Sequence, residues 1–217
     1  MNLSLFDQEN MVEQWQEKIA SSAVILHGFA AAEGEYLLED INKVQEISPF
    51  RHLYTPNGFR MSVAMTNCGS FGWLSDKKGY RYDAIDPLTG QKWPVMPDSF
   101  LTLAKHAAQQ AGFSNFNPDA CLINRYETGS KLSLHQDKDE KDFKEPIVSV
   151  SLGTPAIFLF GGLKRIDKIQ KFNLIHGDVV VWGGQSRLCY HGIMPLKEGY
   201  HPLVGGIRLN LTFRKVS

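Results

Sequence analysis

The chain has 217 residues, 43% hydrophobic and 21% charged, a globular balance that excludes a disordered, fibrous or coiled-coil protein. Lys plus Arg and Asp plus Glu number 23 each, so the net charge is zero and no large cationic surface is on hand to hold a nucleic acid by charge alone. Cys68, Cys121 and Cys189 are odd in number, far apart and without a CxxC, which excludes a disulfide framework or zinc ribbon and points to a reducing compartment.

At the N-terminus Asp7 and Glu9 stand where a signal peptide needs a basic and then an apolar stretch, and no later run approaches the roughly 18 apolar residues of a membrane span. A soluble cytoplasmic protein is expected. Met11, Trp15 and Ile19 recur at i, i+4 and i+8 and predict a short amphipathic helix. Tyr36, Leu37, Ile41, Val44 and Ile47 predict a second, stopped by Ser48-Pro49. Ser62–Pro94 fits no period. It is rich in glycine and in Phe71, Trp73, Tyr80, Tyr82 and Trp93, and reads as a long irregular functional lid. A third helix starts near Pro97-Asp98, presents Leu101, Ala104 and Ala108, and ends at Gly112.

From Asp119 the texture changes to strand-length runs with glycines between them: Ala120–Tyr126, Lys131–Gln136, Ile147–Leu152, Ala156–Phe160, Lys171–Leu174, Val179–Trp182 and Ile207–Arg214. Strands without intervening helices predict an antiparallel sandwich or barrel, mainly β with flanking helices bracing the sheet, in one domain.

The last run carries chemistry. Period two puts Arg208, Asn210, Thr212 and Arg214 on one face and Leu209, Leu211 and Phe213 on the other. Two fixed cations in line suit a dicarboxylate, each guanidinium gripping one carboxylate as a fork; the same pattern also describes a solvent-facing edge strand. In His135-Gln136-Asp137 the outer residues of an extended triplet point the same way, and a distant His191 completes a two-histidine, one-carboxylate set that leaves one face of a metal open. Such a triplet is weak by itself. His176-Gly177-Asp178 is a rival that reads as a hairpin turn before Val179–Trp182. Asn124 and Tyr126 share a strand face and offer an amide and a phenol to a carboxylate.

Taken together, N-x-Y, H-x-D, a distant H and R-x-N-x3-R resemble the iron(II)/2-oxoglutarate dioxygenases, and within them the bacterial AlkB-type DNA alkylation-repair demethylases. Ser62-Val-Ala-Met-Thr-Asn-Cys68, Leu122-Ile-Asn-Arg-Tyr126, Lys131-Leu-Ser-Leu-His-Gln-Asp-Lys-Asp139, Gly161-Gly-Leu-Lys-Arg165 and Asn210-Leu-Thr-Phe-Arg214 carry the likeness, which runs from about Val24 to Arg214. It implies a double-stranded β-helix (jelly-roll) core over 119–217, helical support and a nucleotide-recognition lid over 23–118, and an N-terminal extension over 1–22. It implies Fe(II) on His135, Asp137 and His191, with 2-oxoglutarate and O2 as cosubstrates. Arg208, Tyr126 and Asn210 would hold the distal carboxylate of 2-oxoglutarate, and Arg214 with Asn124 its C1 end.

The implied reaction hydroxylates an N-methyl group on a base in DNA, single strands preferred, with double-stranded DNA and RNA open as further substrates, and releases formaldehyde; the protein would act as a monomer without a membrane. 1-Methyladenine and 3-methylcytosine are cationic, so an indole stacked on the base and a carboxylate beside it favour the lesion. Trp73 and Asp139 occupy those positions by resemblance, while Tyr80, Tyr82, Arg81, Lys131 and Arg165 would hold the flanking backbone or rim the pocket. A core tryptophan and a solvated charge run are the plain readings of Trp73 and of Lys138–Lys141. A hydroxylase of another substrate, RNA or a protein side chain, and a non-catalytic jelly-roll binding module remain as alternatives. Paired arginines argue against the binding module, and the aromatic segment against a free amino-acid hydroxylase.

Overall fold

The computed structural model describes residues 14–217. In chain order these form β1 (Trp15–Ala20), β2 (Ala23–His27), α1 (Gly34–Ile47), β3 (Arg51–Tyr54), β4 (Arg60–Gly69), β5 (Gly72–Asp76), β6 (Gly79–Asp83) and α2 (Asp98–Gln110). Then follow β7 (Ala120–Tyr126), β8 (Leu132–His135), β9 (Ile147–Gly153), β10 (Ala156–Phe160), β11 (Gln170–Leu174), β12 (Val179–Trp182), β13 (His191–Ile193) and β14 (Arg208–Arg214).

The strands pair antiparallel into an eight-stranded sheet in the order β1-β2-β12-β9-β14-β7-β4-β3, a four-stranded sheet β11-β10-β13-β8, and the separate hairpin β5-β6. Alternation along the strands divides two cores. Leu209, Leu211 and Phe213 of β14, with Val179 and Val181 of β12, pack outward against Leu37, Ile41 and Val44 of α1 and Phe100, Leu103 and Ala107 of α2. Phe100 meets Phe213 edge-on, ring centroids 6.1 Å apart. The opposite faces, with Val180, Trp182, Tyr126 and Met65, turn toward Phe158, Phe160 and Ile193 of the smaller sheet. The predicted jelly-roll sandwich braced by helices is the observed architecture, and every functional strand residue on β14 faces the space between the sheets.

Both later helices form where expected, and α1 ends at Ser48, whose N–H still bonds the Val44 carbonyl at 2.9 Å before Pro49 forbids continuation. The first expected helix is a strand. Trp15 and Ile19 lie on β1, and Met11 falls outside the described residues. Residues four apart share a face in a strand as well as in a helix, so the i, i+4 spacing was satisfied by period two. Pairing decides it: Trp15 lies opposite His27 of β2, and their rings stack 4.0 Å apart.

The expectation of an irregular Ser62–Pro94 is also corrected. Its start belongs to the ten-residue β4 in the main sheet, and Trp73, Tyr80 and Tyr82 sit on the regular hairpin β5-β6. The spans expected to hold only an extension, helices and a lid therefore contribute β1 through β4 to the same sheet as β14.

Candidate metal centre and substrate cavity

β13 places His191 directly opposite His135 of β8, ring centroids 4.4 Å apart. The glycine after His191 makes this approach possible, since a Cβ on Gly192 would stand 2.7 Å from the Leu132 carbonyl oxygen. Asp137 lies two residues beyond His135. Its Oδ1 is 3.6 Å from His135 Nε2 and its Oδ2 is 3.8 Å from His191 Nε2. One candidate ligand atom from each of the three residues lies within 4.8 Å of the other two.

The tautomers follow from the neighbours. His135 Nδ1 is 2.8 Å from the Ser133 carbonyl and His191 Nδ1 is 3.0 Å from the Cys189 carbonyl. A carbonyl only accepts, so both Nδ1 atoms carry the hydrogen and both Nε2 lone pairs face Asp137. Burial, then the adjacent His135 ring, pushes His191 down to about 4, so it is neutral at neutral pH. Burial alone would raise the Asp137 carboxyl; Arg214 outweighs it, donating from Nε at 2.9 Å and Nη2 at 2.6 Å to Oδ2, and holds it well below the usual carboxylate range. Two imidazole Nε2 atoms and one anionic carboxylate form a donor set suited to a divalent first-row metal.

The rival triplet has a structural role. Asp178 Oδ1 accepts from the Gly28 N–H at 3.0 Å and Oδ2 from the Ile175 N–H at 2.8 Å, while His176 Nδ1 accepts from the Gly153 N–H at 3.1 Å. Gly177 has φ +87° and its Cβ would strike Ala31, so a turn forms as expected, but it is not a hairpin: it carries the chain from β11 of the smaller sheet to β12 of the larger one. His176→Ala is accordingly expected to keep metal affinity within a few fold of the unsubstituted protein. Metal titration of the folded variant checks it, and a loss like that of a ligand variant would transfer the site to this triplet.

β14 is a central strand between β9 and β7 with all seven residues buried, so the edge-strand reading of its polar face is excluded. Arg208 is 1% exposed. Its Nη2 donates to Ser151 Oγ at 2.9 Å, its guanidinium lies 5.3 Å from the Tyr126 ring centre, and its Nε and Nη1 have no partner. Among the described residues no carboxylate reaches it. A buried cation with unused N–H groups is costly unless an anion joins it, so these atoms fit a ligand carboxylate. Asn210 Nδ2 donates to Ser149 Oγ and the Val150 carbonyl, and its Oδ1 accepts from Asn124 Nδ2 at 3.3 Å and Thr212 Oγ1 at 2.9 Å. Asn124 Oδ1 is left unpartnered. Arg214, in contrast, is engaged by Asp137, with Asn124 bonded instead to Asn210.

All these groups line one cavity of about 620 Å³ between the sheets, with Trp73, Tyr80, Tyr82, Lys131, Asp139 and Arg165 toward its rim. Trp73 Nε1 donates to Asp139 Oδ2 at 2.8 Å, and the indole stacks on Tyr80 at 5.6 Å. Trp73 is half-buried, packing against the inner core on one side and lining the cavity on the other, and Asp139, exposed like Lys138 and Lys141, is tied to it. Arg165 donates to the Leu134 carbonyl at 2.8 Å. Arg81 is not free for a ligand, because Asp76 holds both its terminal nitrogens at 2.9 Å. Tyr82 gives its hydroxyl to Glu140 at 2.6 Å.

The sequence reading missed several supports. Asn67 brackets the backbone of Trp73, accepting from its N–H at 2.9 Å and donating to its carbonyl at 3.2 Å. Glu140, inside an apparent charge run, is 6% exposed, and Arg187 beside the turn Gly184–Ser186 is 2% exposed. No local pattern marks either, because their partners lie tens of residues away.

A jelly roll carrying a His-x-Asp…His cluster and a buried arginine on one cavity defines a class, and the sequence agrees. The chain belongs to the 2OG-Fe(II) oxygenase superfamily, whose sequence model matches residues 22–214. It is 61% identical over 203 residues to the alpha-ketoglutarate-dependent dioxygenase AlkB of Escherichia coli K12, covering 94% of each chain. It is 57% identical to the Salmonella typhimurium AlkB, covering 99% of this chain and 98% of that one. The solved structure of OsALKBH1 superposes with a TM-score of 0.79 at 30% identity, covering 92% of this chain and 99% of that one. The protein is thus an Fe(II)/2-oxoglutarate-dependent dioxygenase, with O2 as the second cosubstrate.

Proposed function

We propose that the protein oxidatively demethylates N-alkylated bases, 1-methyladenine and 3-methylcytosine, in DNA, with single strands preferred and RNA as a secondary substrate. The observation that carries this reading is the Trp73–Asp139 pair on the cavity that also holds His135, Asp137, His191 and Arg208, whose Nε and Nη1 have no partner. A flat cationic base fits between an aromatic face and a carboxylate, and reaching the cavity requires it to leave its stack, which costs least in a single strand. The protein acts as a monomer in the cytoplasm; no helix of the described residues is long and apolar enough to cross a membrane.

His135, Asp137 and His191 hold Fe(II), which when bound supplies the redox chemistry that couples 2-oxoglutarate decarboxylation to methyl hydroxylation. Arg208 pairs with the distal carboxylate of 2-oxoglutarate through Nε and Nη1, with Tyr126 and Asn210 beside it. Arg214 and Asn124 border the other end, where Arg214 also fixes the Asp137 carboxylate. Trp73 and Tyr80 stack and align the base so that its methyl group faces the metal. Tyr82 and Arg165 close the rim. The hydroxymethyl product loses its hydroxyl proton, the C–N bond breaks with its electron pair returning to the ring nitrogen, and formaldehyde and the neutral base leave with succinate and CO2. Residues 119–217 supply the metal and cosubstrate side chains, and 23–118 the base-reading hairpin, the supporting helices and strands β2–β4 of the main sheet.

Formaldehyde release from methylated DNA and RNA oligonucleotides, with iron and 2-oxoglutarate omitted in turn, tests the reading. No release from any of them would overturn it. Substitutions at the pair test base selection. Trp73→Ala is expected to lower kcat/KM on cationic and neutral lesions alike, by about 1–3 kcal/mol of lost stacking. Asp139→Asn keeps the shape and one acceptor but removes the charge, so 1-methyladenine should suffer more than neutral 1-methylguanine. Equal losses on both lesions would show that the Asp139 charge does not select the substrate.

A further inference from the structure

The loop between β8 and β9 has no regular structure, yet it carries Asp137 and Asp139. What fixes it is a buried ring of charges reaching in from other elements. Arg187 Nη1 donates to the Asp137 carbonyl at 2.7 Å, Nη2 to Glu140 Oε2 at 3.0 Å, and Nε to the Glu145 carbonyl at 3.0 Å. One guanidinium thus spans both ends and the middle of the loop. Glu140 Oε1 accepts from the Tyr82 hydroxyl at 2.6 Å and lies 3.4 Å from Arg214 Nε, and Arg214 returns to the Asp137 carboxylate. Gln136 Nε2 adds a bond to the Leu188 carbonyl at 2.6 Å, next to Arg187.

The ring closes Asp137–Arg187–Glu140–Arg214–Asp137, and through Glu140 it reaches Tyr82 on the hairpin that carries Trp73. A buried ion pair adds little net stability over apolar packing, but its bonds fix geometry when every arm is satisfied. We propose that Arg187 and Glu140 are positioning residues that hold the Asp137 loop in metal-binding geometry and, through Tyr82, dock the Trp73 hairpin onto it. Neither side chain need touch substrate, cosubstrate or metal. Metal geometry and placement of the base are then set by one strut, so that 2-oxoglutarate turnover and methyl hydroxylation stay matched one to one. The coupling part rests on the proposed demethylation; the metal-geometry part does not.

Two variants test it. Arg187→Lys keeps the charge against Glu140 but gives up the carbonyl contacts at Asp137 and Glu145. Arg187→Met combined with Glu140→Gln removes both charges together and leaves no uncompensated one. Each is purified without metal, checked by thermal melting, and titrated with Co(II) followed by its visible absorption. Each is then assayed with Fe(II) for succinate formed per formaldehyde released. A folded variant is expected to bind Co(II) 10–100-fold more weakly, as loss of a residue orienting a metal ligand typically does, and to form excess succinate. Co(II) affinity within twofold of the unsubstituted protein and a one-to-one ratio in both variants would overturn the proposal. If the unsubstituted protein released no formaldehyde, the demethylase reading would fail, and the Co(II) comparison would still decide the strut.

Discussion

Asp137→Ala is expected to release no measurable formaldehyde and to bind Fe(II) or Co(II) far more weakly, with kcat/KM down by on the order of 10³-fold or more. The carboxylate is the sole anionic member of the three-residue set, and it lies 3.6 and 3.8 Å from the two imidazoles. Metal-ion catalysis contributes several kcal/mol, and each 1.4 kcal/mol is tenfold in rate. The substitution also frees Arg214 from its main partner, leaving Glu140 at 3.4 Å to share its charge. Melting temperature must therefore be measured beside metal affinity, so that loss of the fold is not taken for loss of a ligand. Turnover near the unsubstituted rate in a folded variant would remove Asp137 from the metal set.

Arg208→Met is expected to raise the KM for 2-oxoglutarate roughly 30-fold to several thousandfold, the equivalent of 2–5 kcal/mol for losing one partner of a buried charge pair. The KM for the oligonucleotide should change little. A second readout separates this clamp role from a packing role. Without cosubstrate, Arg208 is a fully buried cation with two unpartnered nitrogens, and burial pushes its pKa down. Methionine fills similar space without charge, so the cosubstrate-free variant should melt at an equal or higher temperature. Saturating 2-oxoglutarate should then raise the melting temperature of the unsubstituted protein and not of the variant. An unchanged KM, or a variant that melts well below the unsubstituted protein, would contradict the clamp.

Much of the site could be read along the chain. Arg208, Asn210, Thr212 and Arg214 alternate with Leu209, Leu211 and Phe213, and this alternation separated the two faces of β14, which the tertiary structure turns one to the helices and one to the cavity. The Gly-Asp of His176-Gly177-Asp178 identified a turn, since the positive φ at Gly177 and the bond from the Ile175 N–H to Asp178 Oδ2 are local. Where the reading failed, the local signal served two structures at once. Trp15 and Ile19 share a face in a helix or a strand, and only pairing with β2 chose. The start of Ser62–Pro94 looked irregular because β4 is buried on both faces in its second half, where Thr66 and Asn67 are polar but satisfied by Ser48 and Trp73.

The sequence by itself determined which side chains could do the chemistry, because residue type and strand period are properties of a few neighbours. It supplied H-x-D, a distant histidine and two arginines on one strand face. The tertiary structure decided what those residues meet. His135 and His191 are brought opposite each other by β8–β13 register, Arg214 is taken up by Asp137, and Arg208 is left without an anion. Arg187 and Glu140 became visible only there, since a buried charge is defined by partners distant in the chain and by the exclusion of water, neither of which a local pattern contains.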